Sequence, residues 1–185
     1  MNLLQALSDT LFGKDKEVLL STYKLYIRSL FDYAAPVVYP NYFDTSILRL
    51  QRIQNRALRL ALGCHSTSSA DLIHAEAQEL PVSDHLRLLS AQFLARCLQP
   101  SHPSYEVVTR GASRRQMKET LRSKVIDQVR PYLDPNGNIA PGTYGNAIKA
   151  IHTDVVRKSI SRQGPNQVLG HQAPPISPKE RLLPR

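Results

Sequence analysis

The sequence predicts a mostly α-helical fold: an antiparallel helical bundle over residues 1–100, a looser basic helical extension over 101–162, and an irregular proline-containing tail over 163–185. Three observations carry this. Apolar residues recur at intervals of three and four through the first hundred positions, the period of one helix face. The runs are separated by links of only a few residues, which favours antiparallel neighbours. From Gln163 onward, glycine and five prolines leave too little periodicity for a packed element.

Taken in order, residues 2 to 12 place Leu3, Leu4, Leu7 and Leu11 on one helical side, and Gly13 stops the run. Asp15 is a plausible N-cap for the next helix. There Leu19, Tyr23, Tyr26, Leu30 and Tyr33 form an apolar stripe, which puts Tyr23, Tyr26 and Tyr33 in or beside the core. Ala35-Pro36 ends that helix, since proline disfavours a helical residue before it. Val37 to Tyr39 is then extended, and Pro40-Asn41 makes a turn.

Thr45 or Ser46 caps the following helix, which runs to a left-handed stop at Gly63. Ser66 to Ser69 precede a short helix, Ala70 to Gln78, with Leu72 and Ile73 toward the core. Leu80-Pro81 breaks it, and the next helix lines Val82, Leu86, Leu89, Phe93 and Cys97 along one face. Beyond Pro100 the chain is a loop to Gly111 with a short strand at Tyr105 to Thr109. Ser113 to Val129 returns to helix, Asp134-Pro135-Asn136-Gly137 has β-turn preferences, and Ala147 to Ile160 is a last amphipathic helix.

The helix from Ser46 to Gly63 carries the sharpest functional signal. Arg49, Arg52, Arg56 and Arg59 fall on one narrow face, with Ile47, Leu50, Ile53, Ala57, Leu58 and Ala61 gathered opposite. No acidic residue occurs between Asp44 and Asp71, so nothing nearby in sequence neutralises the row. Guanidinium groups bind phosphate in bidentate fashion, so a row without carboxylates at i±4 suits a nucleic-acid backbone. Arg114, Arg115, Lys118 and Arg122 form a weaker second set on the basic helix that follows. Four phosphate contacts to duplex DNA would give a salt slope of log K of about −3.6. The tyrosines before this helix, including Tyr39 and Tyr42, offer base stacking as an alternative to packing.

Composition agrees with an anionic partner: net charge is +9 and the pI about 9.8 over 185 residues. Cys64 and Cys97 are the only cysteines, too few for a disulfide framework or a paired-cysteine zinc site. No apolar run approaches the roughly 18 residues of a membrane span, and the N-terminus lacks a signal-peptide pattern. The expectation is a soluble intracellular protein, cytoplasmic or nuclear, with no membrane partner. Nucleophile elbows, phosphate-cradling glycine loops and zinc-protease helices are missing, and no two acidic residues are adjacent. His65, His74, His85, His102, His152 and His171 lack cysteines at ligand spacing, so each reads as a surface or packing residue. Cys64-His65 lacks an orienting partner for a reactive thiol.

The runs YKLYIRSLFDYAAPVVYP (Tyr23 to Pro40) and LRLQRIQNRALRLALGCHSTSSADLIHAEAQELPV (Leu48 to Val82) resemble the region downstream of the polymerase palm in jockey-type non-LTR retrotransposon reverse transcriptases. That family has a helix ending in a "DY…P" turn, then "L…IQN.ALR…G", then a "L…E…LP" helix pair. The later IHTDVV, NQVL, PPI and ERLLPR segments are similar to the stretch leading toward its C-terminal cysteine-histidine segment. The resemblance covers nearly the whole chain, most specifically over Arg49–Pro81, and implies a thumb-and-connector piece of an RNA-directed DNA polymerase, with residues 1–100 as the thumb- or connector-like bundle. The family's magnesium-binding Asp-Asp signature has no counterpart here, so the resemblance transfers no catalytic residue, cofactor or metal to this chain. It implies that the chain holds RNA, DNA or an RNA–DNA hybrid beside an active site supplied by the remainder of the polymerase. Two alternatives stay open: a helical protein-interaction module docking an acidic partner, and the translation of a degenerate copy without function.

Overall fold

A computed structural model describes residues 15–33, 35–41, 43–110, 121–140 and 142–163. The fold is mostly α, with helices packed on one another and no strand among the described residues. Among those residues no helix is long and apolar enough to cross a membrane. The helix proposed for residues 2–12 and the tail beyond Gln163 lie outside the described residues.

The first rod, α1, comprises α-helical Lys16–Thr22, a π-helical stretch Tyr23–Arg28, and α-helical Ser29–Asp32. Asp15 caps it, its carboxylate accepting from the Glu17 amide at 3.3 Å. The π turn corrects the predicted apolar stripe. A π turn closes over more residues than an α turn, so side chains four apart come into line. Leu19 and Tyr23 are buried and Ile27 and Phe31 pack against the two cores, whereas Tyr26, Leu30 and Tyr33 point outward. Tyr33 is 93% exposed.

Next come α2 (Ala35–Val38), running into a 3-10 turn Tyr39–Asn41, and α3 (Asp44–Leu62). The predicted extended segment is therefore helical. Pro36 sits in the first turn of α2, where its missing N–H has no intrahelical acceptor to satisfy. Phe43 occupies the N-cap of α3 without a side-chain capping bond, in place of the expected Thr45 or Ser46. Gly63 ends α3 at φ 65°, the left-handed conformation its sequence position predicts. Of the expected apolar face, Ala57, Leu58 and Ala61 are buried and Ile47 and Leu50 pack on the core; Ile53 is 41% exposed.

Two further helices, α4 (Ala70–Ala77) and α5 (Val82–Cys97), follow around a left-handed Gln78. On α4, Ile73 is buried but Leu72 faces outward. The short α6 (Tyr105–Arg110) replaces the predicted strand. Thr109 Oγ1 donates to Tyr105 O and the Val108 amide to Ser104 O, so these backbone acceptors are met within the turn. Last come α7 (Leu121–Val129), a 3-10 turn Arg130–Tyr132, and α8 (Tyr144–Gln163). The predicted turn at Asp134–Gly137 forms, with the Gly137 amide donating to Asp134 O at 2.7 Å and Gly137 at φ 75°.

Helix α5 is the axle, with α2, α3, α7 and α8 packed on it. Val82, Leu86, Leu88, Ala91, Leu94, Ala95 and Cys97 are all buried, so apolar residues surround the helix and are not confined to one seam. Phe93, expected in that seam, lies at the surface instead. Burying Leu86 or Leu94 completely contributes about 2 kcal/mol each. The main core runs across residue 100, joining α5 to Val125 and Val129 of α7, Ile139, and Ile151 and Val155 of α8. A second core of Leu19, Tyr23, Ala57, Leu58, Ala61, Ile73 and Ala77 joins α1, α3 and α4.

Candidate nucleic-acid interface

Helix α3 is held by both cores, through Ala57, Leu58 and Ala61 on one and Ile47 and Leu50 on the other. The side turned away from them carries Arg49, Arg52 and Arg56, all exposed. Among the described residues, no carboxylate lies within salt-bridge distance of these three. Other cations are engaged: Lys24 and Arg28 with Glu79, Arg130 with Asp127, Arg157 with Asp154, Arg162 with Asp84.

The fourth member of the row differs. Arg59 is half-buried and donates through Nη2 (2.7 Å) and Nε (3.3 Å) to Ser68 O, tying the 64–69 loop to α3. Arg122 sits half-buried on α7, its Nη2 3.8 Å from where a Cβ on Gly137 would stand. Helices α3 and α7 both pack on α5. Arg114, Arg115 and Lys118 lie outside the described residues. The structure thus brings Arg49, Arg52 and Arg56 together on one free face and sets Arg59 to work on a loop.

The opposite flank of α3 holds a polar cluster whose signal is an amide where an apolar residue is due. Gln54 precedes Ala57 and Leu58 by three and four positions, on the buried side, and is 2% exposed. Its Nε2 donates to Leu80 O at 2.9 Å. Gln51 Oε1 accepts from the Val82 amide at 2.8 Å, and its Nε2 donates to Gln54 Oε1 and Asn55 Oδ1 at 3.0 and 2.8 Å. These bonds clamp the Leu80–Val82 link, where α4 gives way to α5, onto α3.

His74 joins the same cluster. Nδ1 lies 3.0 Å from Glu79 O, a carbonyl that only accepts, so Nδ1 carries the proton. Nε2 lies 3.0 Å from Gln51 Nε2 and 2.9 Å from Asn55 Oδ1. Burial pushes the His74 pKa below its ordinary value of 6.5, the bond to Glu79 O opposing this in part. His74 is therefore a packing residue, as predicted. The Glu79 side chain, itself buried, meets Lys24 at 3.0 Å and both its oxygens meet Arg28 Nη1 at 3.0 and 3.1 Å. Gln51, Gln54, Asn55, His74 and Glu79 thus do structural work, although Gln54 and Asn55 belong to the "IQN" of the family resemblance and Glu79 lies within its "L…E…LP" stretch.

A cavity of about 720 Å³ opens between α5 and α8, lined by Leu88, Leu89, Val156 and Ile160 and also by Arg28, His85 and His152. Its carboxylate, Glu79, is already held by Arg28 and Lys24, and His85 Nε2 is 2.7 Å from Asp32 Oδ1. Among the described residues, no three histidine, cysteine or acidic side chains gather as a metal site. Cys64 is exposed and Cys97 buried.

No family model matches the chain, and no curated protein or solved structure matches it either.

Proposed function

We propose that this chain is a non-catalytic nucleic-acid-holding module, the part of a non-LTR retrotransposon reverse transcriptase that follows the polymerase palm. It grips the phosphate backbone of template or primer through Arg49, Arg52 and Arg56, while the polymerase's catalytic carboxylates reside on other residues. One observation carries the reading. Three arginines stand exposed on one face of a helix fixed by two cores, with no carboxylate of the described residues beside them. A solvated helix face ordinarily interleaves acids at i±4; this one does not. Anchoring on both cores fixes the backbone that carries the cations, so that binding has only the arginine side chains to order.

Because Arg59 is committed to Ser68 O, the expected count is three phosphates, not four. The corresponding slope of log K against log salt is about −2.7 for duplex DNA. Titrating the full chain with fluorescein-labelled single-stranded RNA, duplex DNA and RNA–DNA hybrid at two salt concentrations tests this. At least one of them binds with micromolar affinity, and Arg49→Glu/Arg52→Glu/Arg56→Glu abolishes that binding with unchanged helicity. Undiminished binding in the triple variant would move the interface elsewhere.

A second reading has its own observation. Leu25, Tyr26, Leu30, Tyr33 and Val37 leave a run of exposed apolar side chains along α1 and α2. Such a surface suits contact with another protein, and the remainder of a polymerase is the partner the family resemblance suggests. Size-exclusion chromatography of the chain with and without a separately expressed palm domain distinguishes that case.

A further inference from the structure

We infer that the nucleic acid taken by the α3 face is single-stranded, with its bases turned toward Phe43, Leu48 and Ile53; this rests on the reading of that face as a phosphate grip. The arginines do not stand on a polar surface. Leu48 is 57% exposed and Ile53 41%, and on the helical wheel they flank Arg49, Arg52 and Arg56 on either side. Phe43, 76% exposed, stands at the N-cap of the same helix. From Phe43 to Arg56 the helix rises about 20 Å, enough for several nucleotides of an extended strand.

A duplex approached along its backbone offers such a surface only phosphate and sugar. Leu48, Ile53 and Phe43 would then be pressed against charge with nothing apolar to meet, and their desolvation would return little. A single strand offers both components at once: phosphates for the guanidiniums, and unstacked base faces for an aromatic ring and two aliphatic side chains. Stacking on an aromatic ring tolerates any base, because every base has a π-face. Interleaved cations and exposed apolar groups therefore match the amphipathic single strand better than the uniformly anionic exterior of a duplex. RNA duplexes fit least, since the deep, narrow major groove of A-form RNA excludes side chains from base edges.

The test is fluorescence anisotropy of the full chain with twenty-nucleotide single-stranded RNA and DNA, the corresponding DNA duplex, and the RNA–DNA hybrid. Single strands are expected to bind at least tenfold tighter than either duplex, with a salt slope near −2.1 for three contacts. Phe43→Ala is expected to weaken single-strand binding about tenfold, within the range of one lost base–aromatic stack, and to leave the salt slope unchanged. Ile53→Ser acts in the same direction and serves as a second variant, with circular dichroism confirming that both remain folded. Equal or tighter binding of a duplex, or a Phe43→Ala/Ile53→Ser variant that binds single strands as the parent does, overturns the inference while the phosphate grip stands. Failure to bind any of the four overturns both.

Discussion

Arg49, Arg52 and Arg56 alternate along the same turns of α3 with Gln51, Gln54 and Asn55, yet the two sets have opposite fates. Every amide of the second set has protein partners, reaching Leu80, Val82 and His74. The arginines of the first set are exposed and meet no carboxylate of the described residues. The difference follows from desolvation. A buried amide can be satisfied by neighbouring backbone at modest cost, whereas a buried guanidinium needs a counter-charge the segment does not possess. Burial therefore selects the glutamines and asparagine for the inner flank and leaves the arginines to the solvent. Polar residues within one helix separate into those that hold the fold and those left to the solvent.

Removing the inner clamp has the largest expected effect. Gln54→Ala leaves Leu80 O without its 2.9 Å donor, deprives Gln51 of an acceptor, and opens a void beside Leu58. A loss of about 3 kcal/mol in urea unfolding is expected. A loss below about 0.5 kcal/mol would mean that the amides are no more structural than the arginines, and the distinction between the flanks would fail.

Acid probes the same flank. The native pKa of His74 lies below its ordinary 6.5 because burial disfavours the charged ring. The unfolded chain therefore binds a proton more readily than the native one. The contribution of neutral His74 is fully present above 6.5 and is lost as pH falls from there toward the depressed native value. Comparing the pH dependence of unfolding for the parent and His74→Gln isolates it: the parent loses stability more steeply in that window. Parallel curves would show that the ring takes up its proton equally in the folded and unfolded chain, so that burial in the clamp does not depress its pKa.

Tyr23 sharpens the comparison from the other side of the small core. It is fully buried, its hydroxyl makes no hydrogen bond of good geometry with a described residue, and burial pushes its pKa up to about 12, the nearby Gln54 side chain opposing this in part. Tyr23→Phe removes a desolvated polar atom and keeps the ring, so stability is expected to rise by about 1 kcal/mol. A fall of that size would reveal a bond to the adjacent Gln54 and enlarge the clamp by one member.

The sequence made the helical content legible because apolar spacing is set by helix geometry alone, as in α3 with its Gly63 stop and in α8 with Ile151 and Val155. Where the helix itself departs from α geometry, the spacing misleads. The π turn at Tyr23–Arg28 moves the buried line from Tyr26 and Leu30 to Ile27 and Phe31, and nothing in a 3.6-residue count foretells it. Where a helix is covered on several sides, one seam is too few, which is why Leu88 and Leu94 of α5 are buried and Phe93 is not. The exposure of Arg49, Arg52 and Arg56 was legible because charge without local acids has no cheap interior position. The engagement of Arg59 was not, because its acceptor is a backbone carbonyl, Ser68 O, and backbone carbonyls carry no sequence signature.

The smallest effect on stability separates the two flanks most sharply. Arg49 and Arg52 stand three apart and Arg52 and Arg56 four apart, so like charges neighbour one another along the helix surface. Replacing all three by glutamine removes that repulsion, keeps helix propensity, and breaks no ion pair with a described residue. Stability is expected to stay within about 0.5 kcal/mol of the parent, on the favourable side and more so at low salt. The same variant is expected to lose most of its affinity for nucleic acid. A residue kept for the fold cannot show both results. A substantial loss of stability in the triple glutamine variant would place these side chains on the structural side of α3, beside Gln51 and Gln54.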